Sequence, residues 1–295
     1  MLGPIRDVFG GVALKLREQS AQPRTISSEA VFQTANSENL ALIDGIIDQL
    51  VLPGSGVLNV ERFDELYERT KKGESCLILM EHYSNFDIPC LFYLLTKSGR
   101  RDLAESIIAI AGMKLNEDSG FVVAFAEAYT RIVIYPSRSL STLSDPALLE
   151  QETRRSREIN MAATRQMIRL KHRGHMILLF PSGTRYREGN PETKRAVKEV
   201  DSYIKSFDWM VCLGTAGNVL RIDPDGDMSR DLTARDTVIL SVSEIERCHD
   251  FRDEGRRTCP SDKDPKQHVS DLVMDRLEVE HERACRERDT RMETF

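Results

Sequence analysis

Two short polar stretches carry the residues that could do chemistry. The first, "EHYSNFD" from Glu81 to Asp87, sets a histidine five positions before an aspartate. Histidine is the side chain most readily able to take up a proton near neutral pH. If the chain turns between them, Asp87 accepts the second ring N–H of His82. That fixes the tautomer and stabilises the imidazolium formed when a hydroxyl is deprotonated. The same residues have duller uses, with His82 satisfying a loop backbone group and Asn85 or Asp87 capping the helix that follows. The second stretch, "FPSGTRYREG", runs from Phe180 to Gly189. There Gly183 allows close backbone approach or a positive φ, and Thr184 offers a hydroxyl. Arg185 presents a planar fork suited to a phosphate, and Arg187 adds charge nearby. A tight turn with an exposed arginine is the alternative, since the loop lacks the lysine and glycine spacing of a nucleotide P-loop. A base in one loop and an anion site in the other would deprotonate a hydroxyl on a phosphate-bearing acceptor.

Both loops directly follow apolar runs, and those runs define the elements that must hold them. Short apolar segments recur at 76–80, 107–111, 132–135, 176–180, 210–213 and 238–242. A long helix is expected over 146–173, with Ile159, Ala163, Met167 and Leu170 on one face and Gly174 closing it. This alternation reads as an α/β fold, a central mixed sheet flanked on both sides by helices. In such sheets the ligand crevice lies outside the carboxyl ends of the strands, where both loops fall. Residues 1–72 read as a helical N-terminal extension without clear strands. Leu40, Ile43, Ile46, Ile47 and Leu50 share helical spacing behind Ser37 as cap, and Gly73 ends a second helix. Three regions follow: the extension 1–72, an α/β region 73–248, and a charged helical tail 249–295. In the tail Val269, Leu272, Val273, Leu277 and Val279 mark one face of a surface helix or of a partner-binding arm.

Composition narrows the partners. A chain of 295 residues, 40% apolar and 30% charged, is ordinary for a soluble globular enzyme. A formal net charge of -6 argues against nucleic acid as a partner. Charge is uneven, however: twelve Arg and Lys lie between Arg154 and Lys198, opposed by Glu158, Glu188 and Glu192 alone. That band is either a solvated helix face or a contact for an anionic ligand or an acidic membrane surface. The six cysteines are scattered without a Cys-x2-Cys pair, which fits reduced thiols and a cytoplasmic setting. No apolar run approaches the ~20 residues needed to span a bilayer. The N-terminal stretch "MLGPIRDVFGGVALKL" is a poor signal peptide. It reads as a helix packed on its own protein or lying on lipid.

"EHYSNFD" resembles the His-x4-Asp motif of the phospholipid/glycerol acyltransferases, often written Asn-His-x-Ser-x-x-Asp. "FPSGTR" is similar to their Phe-Pro-Glu-Gly-Thr-Arg motif and follows in the family's order. Between them "RIVIYPSR" sits where the family has a block ending in arginine, and "MVCLGTAG" matches a fourth block loosely, without its proline. The resemblance covers roughly residues 75–220. It implies that His82 abstracts the proton of the acceptor hydroxyl, that Asp87 orients and charge-stabilises it, and that Ser84 is no nucleophile. It implies that Gly183, Thr184 and Arg185 hold the acceptor phosphate, with Arg138 as a further contact. It further implies an acyl-CoA or acyl carrier protein thioester as co-substrate, no metal and no bound cofactor, and a peripheral place on the inner face of a membrane. Lysophosphatidate is the acceptor favoured by family frequency.

Two departures bear on the acceptor and on the base. Ser182 replaces the usual Glu, as in the soluble, plastid-type glycerol-3-phosphate acyltransferases, whose helical N-terminal domain is similar to residues 1–72. Glu81 replaces the usual Asn, where it either raises the basicity of His82 or pairs with an arginine of the basic band. Two other classes remain in view. A metal-dependent phosphoesterase would use His82, Asp87, His172 and His175, although Gly174 breaks the helix that would align the last two. A non-catalytic lipid-binding protein on the same fold would not need the His82/Asp87 pair.

Overall fold

The computed structural model describes residues 2–20, 25–117, 120–141 and 143–294. Its strands are β1 (Gly3–Pro4), β2 (Phe32–Gln33), β3 (Gly56–Leu58), β4 (Cys76–Met80), β5 (Ile107–Gly112) and β6 (Arg131–Ile134). They continue with β7 (Met176–Leu179), β8 (Trp209–Ala216), β9 (Leu220–Arg221), β10 (Leu232–Thr233), β11 (Ile239–Val242) and β12 (Glu246–Arg247). Nine of them form one sheet in the order β2-β6-β5-β7-β4-β8-β11-β3, with β12 pairing to β8. Strands β6, β5, β7, β4 and β8 run parallel, while β2 and β11 join antiparallel to β6 and β8. The expected mixed α/β sheet is present, and β4, which launches the His82 loop, lies at its centre.

Burial explains that position. All five residues of β4 are buried, and their side chains alternate between two cores. Cys76, Ile78 and Met80 enter the core under helices Ser37–Leu50, Val60–Lys71 and Asp87–Lys97. Leu77 and Leu79 enter the core under helices Pro146–Lys171, Cys248–Arg257 and Pro265–Thr294. β7 divides in the same way, with Met176 and Leu178 on one side and Ile177 and Leu179 on the other. Each such Leu or Ile contributes roughly 1.5–3 kcal/mol, so a strand buried on both faces is the most securely placed part of the sheet. The loop leaving such a strand inherits a rigid base.

The N-terminal region is mainly helical, as expected, and also contributes three short strands. β2 and β3 form the two edges of the main sheet, and β1 pairs with β10 in a small second sheet. Strands of two or three residues carry no visible alternation, so they escaped the pattern. The first long helix starts one residue early, because Asn36 rather than Ser37 accepts from the N–H groups of Glu38 and Asn39.

At the other end, helix Pro265–Thr294 lies across β8 and β11. Val269, Val273 and Leu277 are buried as expected, whereas Val279 is half exposed and Ala284 extends the packed face toward the C-terminus. The approach is so close that a Cβ on Gly214 of β8 would stand 2.3 Å from the backbone nitrogen of His281. Glycine is what lets this helix rest on the strand.

Candidate active site

Asp87, the first residue of helix Asp87–Lys97, folds back onto the loop that precedes it. Its Oδ2 accepts from the backbone N–H of Tyr83 at 2.7 Å and of Ser84 at 2.9 Å, and stands 2.9 Å from His82 Nδ1. A carboxylate can only accept, so Nδ1 carries the hydrogen and Nε2 is left with its lone pair. Neither Asn85 nor Asp87 caps the helix, since no side chain bonds at its N-cap, Phe86. Ser84 Oγ instead accepts from the Phe86 N–H at 2.8 Å, which occupies that hydroxyl in the turn. Three hydrogen bonds to one oxygen of the buried Asp87 therefore set the loop and the imidazole together.

The second loop meets the first because β7 is the parallel neighbour of β4. Phe180 stacks on the His82 ring, with centroids 3.9 Å apart and planes 13° from parallel. The Tyr186 N–H donates to the His82 carbonyl at 2.7 Å. Gly183 adopts φ +61, a left-handed conformation that favours glycine, and its N–H closes a turn onto the Phe180 carbonyl. Ser182 Oγ donates to the Thr184 carbonyl at 2.7 Å, so this serine braces the loop from within. Thr184 is half-buried beside it.

Arg185 is not the free fork the sequence suggests. It is buried, and its Nη1 is paired with Oδ2 of Asp231, which is itself fully buried. The other Asp231 oxygen accepts from the Asp223 N–H. Burial holds the Asp231 carboxyl above its ordinary pKa, and the guanidinium opposes that shift. One guanidinium nitrogen is thus committed, and a phosphate would be met by the others. Arg185→Ala should cost roughly 3 kcal/mol or more in thermal unfolding, because it strands a buried carboxylate. Adding Asp231→Asn should restore much of that stability while the KM for a phosphate-bearing acceptor stays raised. Recovery of both together would limit Arg185 to a structural role.

Arg138 lies elsewhere. It is exposed on the short helix Ser137–Leu140 after β6, at the same edge of the sheet as His82. β6 is three strands from β4, roughly 14 Å at ~4.8 Å per strand. A contact from Arg138 would therefore reach a distant part of a long substrate rather than the group held by Arg185. The metal set of His82, Asp87, His172 and His175 is not assembled. His172 and His175 precede β7, at the opposite edge, where each bonds a backbone carbonyl, of Gly73 and Ser106 respectively.

Glu81 has partners that the sequence did not reveal. It is buried, and among the described residues it pairs with neither an arginine nor His82. Its Oε2 accepts from the Thr215 N–H at 2.8 Å and stands 3.1 Å from His281 Nδ1; its Oε1 is 3.3 Å from the Tyr83 hydroxyl. Asp231 and His281, far along the chain, were missed, whereas Phe180, Tyr83 and Tyr186 lay inside the two quoted stretches without a role assigned to them.

The assembled site can take a proton from a hydroxyl at His82 Nε2 and hold the resulting imidazolium against Asp87. Among the curated proteins no match is found. The sequence matches the family model named Acyltransferase over residues 61–210, just over half of the chain and including both loops. The chain therefore belongs to the acyltransferase family, in keeping with its phospholipid/glycerol acyltransferase motifs.

Proposed function

We propose that this acyltransferase moves a fatty acyl group from an acyl-CoA or acyl carrier protein thioester to the free hydroxyl of lysophosphatidate. The observation that carries the reading is the 2.9 Å His82–Asp87 contact in a loop hydrogen-bonded to the one bearing Arg185. The hydroxyl proton passes to His82 Nε2 as the oxygen attacks the thioester carbonyl. The C–S bond then breaks, and the proton leaves with the thiolate. The chemistry calls for no metal or bound cofactor, and Ser84 takes no part as nucleophile.

A lipid acceptor is favoured by the N-terminal segment. The Ile5 N–H donates to the Asp231 carbonyl, so this segment adjoins the partner of Arg185. Ile5, Phe9 and Leu16 are buried there, while Leu2, Val8 and Leu14 are exposed. Apolar surface beside an anion site suits an acceptor that carries an acyl chain. Glycerol-3-phosphate is the second reading, supported by Ser182 and the largely helical N-terminal region. Offering both acceptors and both donors to the purified protein separates them. A kcat/KM at least tenfold higher for lysophosphatidate is expected, and the reverse ratio would select glycerol-3-phosphate.

The product belongs in a bilayer, so a peripheral place on the cytoplasmic face is part of the proposal. No helix among the described residues is long and apolar enough to cross a membrane. Exposed Arg157 and Arg165 flank exposed Met161 and Ile168 on helix Pro146–Lys171, which suits anionic headgroups. Binding to vesicles containing anionic lipid should weaken severalfold between low and physiological salt, by sedimentation. Salt-insensitive binding would remove the basic band from this role.

A further inference from the structure

We infer that His281, on the C-terminal helix and outside the matched family region, is a positioning residue for the catalytic loop, acting through Glu81 and Tyr83. The inference rests on the reading of His82 as the general base. Both chain neighbours of His82 are tied to this one imidazole. Glu81 Oε2 stands 3.1 Å from His281 Nδ1, and the Tyr83 hydroxyl stands 3.4 Å from the same nitrogen. The Tyr83 and His281 rings stack with centroids 5.5 Å apart, and Tyr83 packs edge-on against Tyr186 of the second loop.

His281 is itself anchored. Its Nδ1 lies 2.8 Å from the Thr215 carbonyl, so two acceptors, a carbonyl and a carboxylate, face that nitrogen and place a hydrogen on it. The backbone beneath it is pressed onto Gly214, where even a methyl group would not fit. The hydrogen bond to Glu81 raises the His281 pKa against the opposing effect of burial. Cys285 Sγ stands 3.5 Å from Nε2 on the far side of the ring.

Glu81 thus bridges β8 and the C-terminal helix from the position directly before the base. An acid is needed there because two donors, the Thr215 N–H and His281, converge on one buried oxygen. A neutral amide oxygen would accept both more weakly. The loop between Met80 and Asp87 is fixed at one end by Asp87 and at the other by this cluster. Loosening the second anchor moves His82 relative to the acceptor hydroxyl, and displacements of about 1 Å can cost 100-fold in rate.

The test compares the full-length chain with His281→Phe, His281→Asn, Glu81→Gln and the Glu81→Gln/His281→Phe pair. Phenylalanine keeps a ring against Tyr83 and removes the donor; asparagine restores a donor near the Nδ1 position. His281→Phe should lower kcat roughly 10- to 100-fold with the acyl-thioester KM changed less than about threefold. His281→Asn should recover most of the rate, and His281→Phe should cost little further in the Glu81→Gln background. The His82 Nδ1–H proton resonance, assigned by its loss in His82→Ala, should shift in His281→Phe and return in His281→Asn. Wild-type kcat and an unmoved resonance in folded His281→Phe would overturn the inference. If His281→Phe does not fold, His281→Ala takes its place, and rate losses in His281→Ala and Glu81→Gln that simply multiply in their double variant would overturn it as well. A wild-type protein without acyl transfer whose resonance still responds to His281 would refute the function and leave the positioning role standing.

Discussion

His82→Ala is expected to lower kcat for acyl transfer by roughly 1,000-fold while the chain stays folded. A positioned general base contributes about 100- to 10,000-fold, and a 1,000-fold loss corresponds to about 4 kcal/mol of barrier. His82 is the one group in the loop whose free ring nitrogen can take the hydroxyl proton. Removing its side chain leaves Asp87 Oδ2 still accepting from the Tyr83 and Ser84 N–H groups, so the turn persists. The acyl-thioester KM should change little, because the base acts on the acceptor. The measurement is a steady-state comparison alongside a thermal melt. More than a tenth of wild-type kcat in the folded variant would remove His82 from the chemistry.

Asp87→Asn separates a catalytic carboxylate from a merely structural one. Asparagine and aspartate serve almost equally in turns where the side chain accepts from nearby backbone N–H groups, so a structural Asp87 would tolerate the change. The amide oxygen can occupy the Oδ2 position and keep both backbone hydrogen bonds. What it cannot do is carry the negative charge that stabilises the His82 imidazolium 2.9 Å away. The expected result is a fall in kcat of roughly 100-fold or more, with about 1–2 kcal/mol lost in stability from the weaker hydrogen bonds. A variant with nearly full activity would reduce Asp87 to a loop brace and leave His82 without its partner.

The parts legible in sequence were those encoded by neighbours in the chain. Residues 76–80 and 176–180 read as buried strands from their unbroken apolar runs, and both faces of the observed strands β4 and β7 enter a core. The His82–Asp87 contact lies within one turn. The meeting of the two loops required only that β4 and β7 be adjacent, as parallel strands in such a sheet can be. The illegible parts depend on distant residues. Arg185 finds Asp231, just before β10 of the small second sheet, and Glu81 finds His281 some 200 positions away. Charge and residue type can suggest that a buried acid needs a partner, but spacing cannot name it. The edge strands β2 and β3 were missed for a different reason. Two or three residues hold no period, and tertiary pairing alone makes them strands.

The central claim is transfer through His82 to an acceptor hydroxyl, and the most direct measurement follows both products in one reaction. Purified protein is given an acyl thioester with lysophosphatidate, and released thiol and new ester are quantified together. Base-catalysed transfer predicts one acceptor ester for each thiol released, with both rates falling in parallel in His82→Ala. Thiol release without acceptor ester would mean hydrolysis in place of transfer, and ester formation undiminished by His82→Ala would contradict the mechanism.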